Sequence, residues 1–312
     1  MLTFKTIRAL KAGPRIACVA LAGGVYLSAT AQPVGSEEKG LGFGQSVFFS
    51  FRQAAEKIRP DFDLKIWATN LEKALVAYRA GEFLKAHNLF KAAADEGDLM
   101  AHWWLGRMYQ MGQGVTLDDA QAFGHFRKAA LAFDGREPPG PLMGAKLDSL
   151  VHVGRYYKKG VPDANIPRQP QRALRIFRTA AEFKHPGAQY GIGVMYYDGD
   201  GLEKRPRRGM RWLMLSAQKH FPLALAKLGD IYWSQRDKPF SDVRAMMWYI
   251  LAQNVARPEI DPDIINRYNE LASTLTPQVQ EQARQMALSW SRRFPPPPHR
   301  QLTQPVAGTA AE

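Results

Sequence analysis

The apolar positions between residues 70 and 255 recur in one order along the chain. A phrase made of an aliphatic residue, a glycine, two variable positions and an aromatic tyrosine begins at Leu105, Val153, Ile192 and Leu228. Each copy is followed by a second phrase, in which small and aromatic residues recur every three or four positions. The four glycines are 36 to 48 residues apart, and self-similarity at this period predicts an array of stacked helix pairs.

The spacing within each phrase indicates helices that pack closely. Ala122, Phe126 and Ala129 are four and three positions apart, so they share one face of a helix. A glycine such as Gly106 costs about 1 kcal/mol relative to alanine inside a helix, which is tolerable where the missing side chain permits a close helix crossing. The predicted fold class is therefore all-α, an α-solenoid of helix-pair repeats.

Signals at both ends of the array predict where it stops. Residues 71–94 have the same spacing, which adds one helix pair before the four full repeats. The threonine and proline at 276–277 are typical of an N-cap and first helical residue, so a helix to about Arg293 is expected to cap the last repeat. Four consecutive prolines then end the fold. The predicted bounds are 64–294 for the solenoid and 295–312 for a disordered, proline-rich tail.

Two insertions interrupt the rhythm of the array. Residues 134–147 lengthen the connection between the first and second full repeats, and residues 161–167 lengthen a loop inside the second. Irregular insertions in a regular scaffold are common places for function, and they are as commonly neutral surface loops, so both interpretations stay open.

The first 31 residues have the pattern of a secretory signal. A leader with four basic and no acidic residues precedes the apolar run Ile16–Leu27, which is too short to span a ~30 Å hydrocarbon core comfortably. The small residues Ala29-Thr30-Ala31 suit a signal peptidase. We therefore predict a cleaved signal peptide over 1–31 and a periplasmic protein, with an uncleaved anchor as the alternative. Residues 32–63 are assigned to a linker or a short docking segment.

Charge and cysteine usage narrow the chemistry. The formal net charge is +13, which predicts attraction to anionic partners. Export removes nucleic acid as an expected partner, and no segment after the leader is long and apolar enough to be a membrane span. Cys18 is the only cysteine and lies in the leader, so disulfides and thiol catalysis are excluded from the mature chain.

No catalytic, metal or cofactor site is recognisable in the sequence. Residues 198–201 superficially resemble a calcium loop, but the third ligand and the closing glutamate are missing. No histidine pair has zinc spacing with a third ligand nearby, and no serine lies in a G-x-S-x-G turn. We expect a binding protein without a cofactor rather than an enzyme. Paired carboxylates in a cleft are the one catalytic arrangement that a single sequence leaves open.

Histidines within the repeats suggest a response to acid. An imidazole titrates near pH ~6.5, so we expect acid to weaken partner binding or fold stability through some of them. Ordinary packing or surface histidines are the alternative. The five residues are His102, His125, His152, His185 and His220.

The stretch Leu105–Ala130 resembles the Sel1-like repeat family, which is related to tetratricopeptide repeats. The resemblance covers about residues 70–255 and implies a solenoid of Sel1-like helix-pair repeats. Where the family usually ends the second helix with a glycine, this chain has Lys184 and His220. The matching positions are Gly112, Gly114, Val115 and Asp118 in the first full repeat and Gly199, Gly201 and Leu202 in the third.

A narrower resemblance is to the periplasmic exopolysaccharide regulators of the ExoR type. It rests on the leader, the repeat number, the phrase Tyr156-Tyr157-x-x-Gly160-x-Pro162 with Asn165 after it, and Trp290 in the capping helix. This resemblance implies a periplasmic, protein-binding regulator in two-component signalling. It would bind the extracytoplasmic domain of a membrane sensor histidine kinase, hold that kinase inactive and so control exopolysaccharide production. The alternative is a cell-envelope scaffold that binds anionic polysaccharide or peptidoglycan.

Two surfaces are candidates for these roles. The first helix of each pair lines the concave side of such solenoids, so solvent-facing residues there are expected to bind a protein partner. They are His102, Arg107, His152, Arg155, Lys158 and Asp230. A basic turn and the helix after it are expected to bind a polyanion, or else to be only a solvated basic turn. Its residues are Lys204, Arg205, Arg207, Arg208 and Arg211.

Overall fold

The computed structural model describes residues 16–21, 24–29, 69–136, 138–258 and 260–296. Over the last three of these ranges the chain forms twelve α-helices, which confirms the all-α prediction for the repeat array. None of the helices in the described ranges is long and apolar enough to cross a membrane. The helices are α1 Asn70–Arg79, α2 Phe83–Asp95, α3 Leu99–Met111, α4 Asp119–Leu131, α5 Pro141–Lys159, α6 Pro170–Glu182, α7 Pro186–Asp198, α8 Pro206–Ala217, α9 Pro222–Trp233, α10 Ser241–Gln253, α11 Pro262–Thr274 and α12 Pro277–Arg293.

A short β-hairpin lies in the segment predicted to be a signal peptide. Strand β1, Ile16–Leu21, pairs antiparallel with β2, Gly24–Ala29. The register places Ile16 opposite Ala29 and Leu21 opposite Gly24. The predicted apolar run is thus divided between two strands, which the apolar pattern did not anticipate. The linker over 32–63 and nearly all of the tail over 295–312 lie outside the described residues.

Consecutive helices of the array pack in pairs, and the pairs stack. Each second helix (α2, α4, α6 and α8) also contacts the first helix of the pair that follows it. The same position of three second helices carries a phenylalanine that is fully buried: Phe90, Phe126 and Phe177. This repeated aromatic layer forms the apolar core that the spacing predicts.

Glycines in the first helices permit the close crossings. A Cβ atom added to Gly154 would lie 2.6 Å from Cε1 of Phe177, and one added to Gly106 would lie 2.9 Å from Phe126. At Gly229 the corresponding distance to Tyr249 is 2.5 Å. No ordinary Cβ atom tolerates such contacts, so the rings of the second helices occupy the space that the glycines leave. The close-crossing prediction is confirmed.

The capping helix α12 packs against α10, the second helix of the last repeat. Its Ala283 and Ala287 are buried, and the Trp290 ring centroid lies 5.6 Å from that of Trp248. Nε2 of His220 lies 2.8 Å from the carbonyl oxygen of Phe294, just after the helix. The predicted cap is therefore present, and it is fastened at its end to the third full repeat.

Two of the helix ends replace an expected glycine with a residue that carries a side chain. Gly97 follows α2 with φ 91°, and its counterparts Lys184 and His220 have φ 57° and φ 56°. The left-handed conformation costs non-glycine residues roughly 1–2 kcal/mol. Lys184 and His220 therefore differ from the family pattern in residue type, but they keep the left-handed turn that glycine forms elsewhere.

The two insertions adopt different structures. Residues 141–147 of the first insertion become the opening turns of α5, which at 19 residues is the longest helix described. The second insertion forms the 3-10 turn Pro162–Ala164 and an isolated bridge between Val161 and Ile166. The longer α5 places Asp148 beside residues of the repeats before and after it, Trp103 and His185.

Candidate functional site

Three successive first helices meet around the carboxylate of Asp148. Nε1 of Trp103 on α3 donates a hydrogen bond of 2.7 Å to Oδ2 of Asp148 on α5. Nε2 of His152, one turn further along α5, lies 3.4 Å from the same oxygen. Nε2 of His185, which caps α7, lies 3.9 Å from Oδ1. The Asp148 side chain thus contacts residues of its own repeat and of the two neighbouring repeats.

Burial and hydrogen bonding set the protonation states in this cluster. Burial alone would raise the pKa of Asp148, but the nearby His152 and His185 imidazoles and the Trp103 N–H lower the pKa below its usual range. Burial lowers the pKa of His152 and of His185, although the carboxylate opposes this change. At neutral pH the cluster therefore contains one carboxylate and two neutral imidazoles.

Two arginines flank the cluster on the same helices. The guanidinium of Arg107 lies 5.7 Å from the centroid of the Trp103 ring, one turn away on α3. Arg155 lies two turns after Asp148 on α5 and is exposed to solvent. We call Trp103, Arg107, Asp148, Arg155 and His185 the first-helix surface. It combines a fixed aromatic and acidic centre with two basic side chains.

The expectation that six first-helix residues face solvent is wrong for His102 and His152, which are 8% and 5% exposed. His152 stacks on Phe126 of the preceding repeat, with 4.1 Å between ring centroids. Nδ1 of His102 lies 3.0 Å from Nδ1 of His125 on α4. Each of these imidazoles packs against a ring of α4, so both side chains fill space between helices and do not face solvent.

The other four predicted residues are accessible to different degrees. Lys158 forms a 3.2 Å ion pair with Asp200 in the next repeat, and Asp230 accepts a 2.6 Å hydrogen bond from the Tyr249 hydroxyl. Both are therefore occupied within the chain. Arg107 is half-buried and Arg155 is exposed, so these two remain the candidates for contact with a partner.

The predicted polyanion residues are brought together in part. An open groove of about 950 Å³ runs along α8. It is lined by Arg205, Arg207, Arg208, Arg211, Trp212 and Leu215. Lys204 is exposed but does not line this groove. We call this feature the α8 groove. The sequence indicated the positive charge of the groove, but not that Trp212 and Leu215 also line it.

A second histidine cluster lies between the first repeats. His125 contacts His102, and its ring stacks on Tyr109 with 5.7 Å between centroids. Nε2 of His87 lies 3.1 Å from the Tyr109 hydroxyl. Burial lowers the pKa of His125 to about 4, and the positive charges of His102 and Lys128 act in the same direction. Burial also lowers the pKa of His102 and of His87.

This cluster predicts a loss of stability in acid. A histidine whose pKa is lowered by folding binds its proton more readily when unfolded, so its contribution is complete above pH ~6.5 and is lost as the pH falls towards 4. For His125 the pKa values of 6.5 and about 4 correspond to about 2 kcal/mol lost between pH 7.5 and 5. Urea unfolding measures the free energy of unfolding at the two pH values. The loss of this free energy between pH 7.5 and 5 should be smaller in His125→Phe than in the parent chain, by about 2 kcal/mol. Equal pH dependence in both proteins would contradict the assignment.

The two histidine clusters do not have the arrangement of a metal site. Within the described ranges, no group of three or more His, Cys, Asp and Glu side chains is arranged to hold a metal ion. The Asp148 cluster instead has an indole N–H as one partner, which suits a carboxylate and not a metal ion. The Asp148 carboxylate therefore serves as a hydrogen-bond acceptor that holds the Trp103 side chain in place.

Sequence reasoning missed Asp148 and Trp103 as site residues. Their contact joins positions 45 residues apart, and no spacing rule within one helix connects them. The adjacent tryptophans Trp103 and Trp104 were the available signal, because two neighbours cannot share one helix face. Trp104 stacks on Phe90 in the core, whereas Trp103 turns to Asp148.

Comparison with known proteins supports the family resemblance. The Sel1 repeat family matches residues 83–98, 99–132, 147–182, 186–220 and 222–252. The chain is 23% identical to a Sel1 repeat protein of known crystal structure from Oxalobacter formigenes, with a TM-score of 0.50. That similarity covers 79% of this chain and 98% of the other, and it shows the fold.

Two curated relatives are both named exopolysaccharide production negative regulator. The chain is 29% identical to the one from Rhizobium leguminosarum bv. viciae and 26% identical to the one from Rhizobium meliloti (strain 1021), in each case over 160 residues. Each alignment covers 51% of this chain and 59% of the relative, so the chain matches a little over half of their length. The resemblance to the Sel1-like family and to exopolysaccharide regulators is confirmed.

Proposed function

We propose that this chain, which carries five Sel1 repeats, is an exported regulator of exopolysaccharide production that acts by binding a protein partner. The partner is the extracytoplasmic domain of a membrane sensor histidine kinase, and binding holds that kinase inactive. Two curated relatives bear the name of a negative regulator of exopolysaccharide production, which supports the regulatory role.

The observation that carries the proposal is the first-helix surface. Exposed Arg155 and half-buried Arg107 flank a centre in which Trp103 is hydrogen-bonded to Asp148. Arginine and tryptophan are the residues that most often dominate the energy of protein interfaces. Because Asp148 contacts three successive repeats, the surface is ordered before a partner arrives, which reduces the entropy lost on binding.

Export is part of the proposal and rests on the first 31 residues. Their basic start, short apolar run and small residues at 29–31 have the pattern of a secretory signal. A sensor domain outside the cytoplasmic membrane is accessible to an exported regulator. The chain then acts in the periplasm by occupying a surface of the sensor, and it requires no catalytic group.

The binding experiment uses the full mature chain and the extracytoplasmic domain of the host's sensor kinase that controls exopolysaccharide production. We expect Arg107→Ala with Arg155→Ala to raise the Kd at least tenfold, since arginines at the centre of an interface commonly contribute 1–2 kcal/mol or more. Isothermal titration calorimetry measures the change.

Arg127→Ala provides the matched control, because Arg127 is an exposed arginine on the second helix α4. It should leave the Kd within about twofold of the parent chain, as surface charges outside an interface usually do. No binding by the parent chain, or equal weakening by the control, would refute the proposed function.

A further inference from the structure

The α8 groove is a strongly basic surface outside the proposed first-helix interface. Its walls contain Arg207 and Arg211, which are one turn apart on α8 and exposed, and Leu215 follows one turn later with 43% of its surface exposed. This spacing places the two guanidinium groups and the aliphatic side chain in one row along the helix. A linear ligand can therefore meet charge and apolar surface in succession.

The positive charges of Arg207 and Arg211 are not neutralised by nearby carboxylates of the described residues. Helix α8 contains no acidic residue. Glu203 pairs with Arg205 at the entrance to the helix, but in the part of the chain that the structure describes no carboxylate forms an ion pair with Arg207 or Arg211. Like charges held close together repel one another, so an anionic ligand stabilises this arrangement.

The basic surface extends from α8 to the neighbouring repeat through Tyr196. The guanidinium of Arg208 lies 4.4 Å from the centroid of the Tyr196 ring. Arg178 on α6 donates a 3.1 Å hydrogen bond to the hydroxyl of the same tyrosine. One aromatic side chain thus contacts two arginines from different repeats, and of these Arg208 is a residue that lines the groove.

The apolar residues decide between classes of polyanion. Trp212 packs against the core and lines the groove, and Leu215 is an exposed aliphatic group beside it. The C–H face of a sugar ring can stack on Trp212, but a polysaccharide has no large aliphatic group that would cover the exposed Leu215. A polypeptide offers carboxylates that match the planar fork of arginine, together with apolar side chains.

From this combination, we infer that the α8 groove binds an acidic segment of a protein partner, in which carboxylate side chains alternate with at least one large apolar side chain. The carboxylates pair with Arg207 and Arg211, and the apolar side chain covers Trp212 and Leu215. The assignment of the segment to the sensor's extracytoplasmic domain rests on the proposed function. The chain then holds its partner through two surfaces, one on first helices and one on a second helix.

A synthetic peptide tests the groove without the sensor. The probe is a short fluorescent peptide rich in glutamate with one central phenylalanine and leucine, and the readout is fluorescence anisotropy with the full mature chain. We expect binding that weakens at least tenfold when glutamines replace the glutamates. We also expect binding to weaken as salt rises, because the groove is open to solvent.

Two double variants of equal charge change locate the site. Arg207→Gln with Arg211→Gln should weaken peptide binding at least tenfold. Arg127→Gln with Lys128→Gln, two exposed positions on α4, should leave it within twofold. Thermal melts should show neither variant less stable than the parent chain, because none of the four side chains is buried and the loss of Arg207 and Arg211 removes repulsion. No peptide binding, or equal loss in both variants, would overturn the inference.

Polygalacturonate added as a competitor tests the polysaccharide alternative. Tight binding of this polymer that depends on Arg207 and Arg211, with no binding of the peptide, would overturn the inference in favour of an anionic polysaccharide ligand. Weak, groove-independent binding of the polymer is the expected result.

The sensor domain then tests the source of the segment. We expect the Arg207→Gln and Arg211→Gln variant to bind the sensor domain at least tenfold more weakly. Unchanged sensor binding in this variant, with loss in the Arg107 and Arg155 variant, would refute the assignment to the sensor and leave the proposed function intact. If the parent chain does not bind the sensor domain, the proposed function fails. The peptide titration still shows whether the α8 groove binds an acidic peptide.

Discussion

Replacing Phe177 with alanine is expected to lower the free energy of unfolding by about 3–5 kcal/mol. The Phe177 ring is fully buried, and it fills the space beside two glycines on different first helices. A Cβ atom added to Gly154 or to Gly191 would lie 2.6 Å or 2.9 Å from this ring. Loss of the ring therefore leaves a cavity bordered by helix backbone, which cannot collapse without moving two repeats.

Chemical denaturation of the chain measures this effect. Phe177→Leu keeps most of the apolar volume and should cost less than about 1.5 kcal/mol. Phe183→Ala is a second control, because Phe183 is 37% exposed just after the same helix and packs edge-on against Phe133. It should cost only about 1–2 kcal/mol. If Phe177→Ala were as mild as Phe183→Ala, the ring would not be the packing element between repeats.

Replacing Gly209 with alanine is expected to destabilise the chain by about 3 kcal/mol, the upper end of the usual cost of overpacking. A Cβ atom at this position would lie 2.6 Å from the backbone nitrogen of Tyr197 and 2.8 Å from the carbonyl oxygen of Gly193. These are backbone atoms of α7, so relief requires the two helices of the repeat to move apart. Helix propensity alone predicts the opposite sign, a gain of about 1 kcal/mol.

Gly124→Ala is the matched control for this prediction. Gly124 also lies inside a second helix, α4, but a Cβ atom there meets no heavy atom within 4 Å. This substitution should stabilise the chain by up to about 1 kcal/mol, since only the helix propensity changes. Stabilisation by both substitutions in thermal or urea unfolding would show that α7 and α8 do not cross closely at Gly209.

The fold was largely predictable because its contacts are local and repetitive. Phe126 and Gly106 belong to successive helices of one repeat, so the pattern that forms one contact recurs along the chain. The extension of α5 by residues 141–147 was not predictable, since an insertion that breaks the period gives no second copy for comparison. The hairpin of Ile16–Leu21 with Gly24–Ala29 was missed for a similar reason, because a short apolar run suits a strand or a helix equally.

The candidate sites were predictable only in part. Arg107 and Arg155 were correctly placed on an accessible helix face, but His152 was not, because helical periodicity cannot separate a face that meets the next repeat from one that meets water. Asp148 escaped notice because its importance comes from contacts with Trp103 and His185, which lie on other helices. The charge of the α8 groove was visible as a basic run, whereas its link to Arg178 through Tyr196 depends on packing between repeats.

The most direct test of a docking role for the first-helix surface is site-specific photo-cross-linking in living cells. A photoreactive residue at position 159 on α5, one turn after Arg155, is compared with one at position 127 on α4, both of which are exposed, so that Arg155 itself is kept. We expect cross-links from position 159 to the extracytoplasmic domain of a membrane sensor kinase, identified by mass spectrometry, and none from position 127. Equal capture at both positions, or no sensor captured from position 159, would contradict a docking role for the first-helix surface.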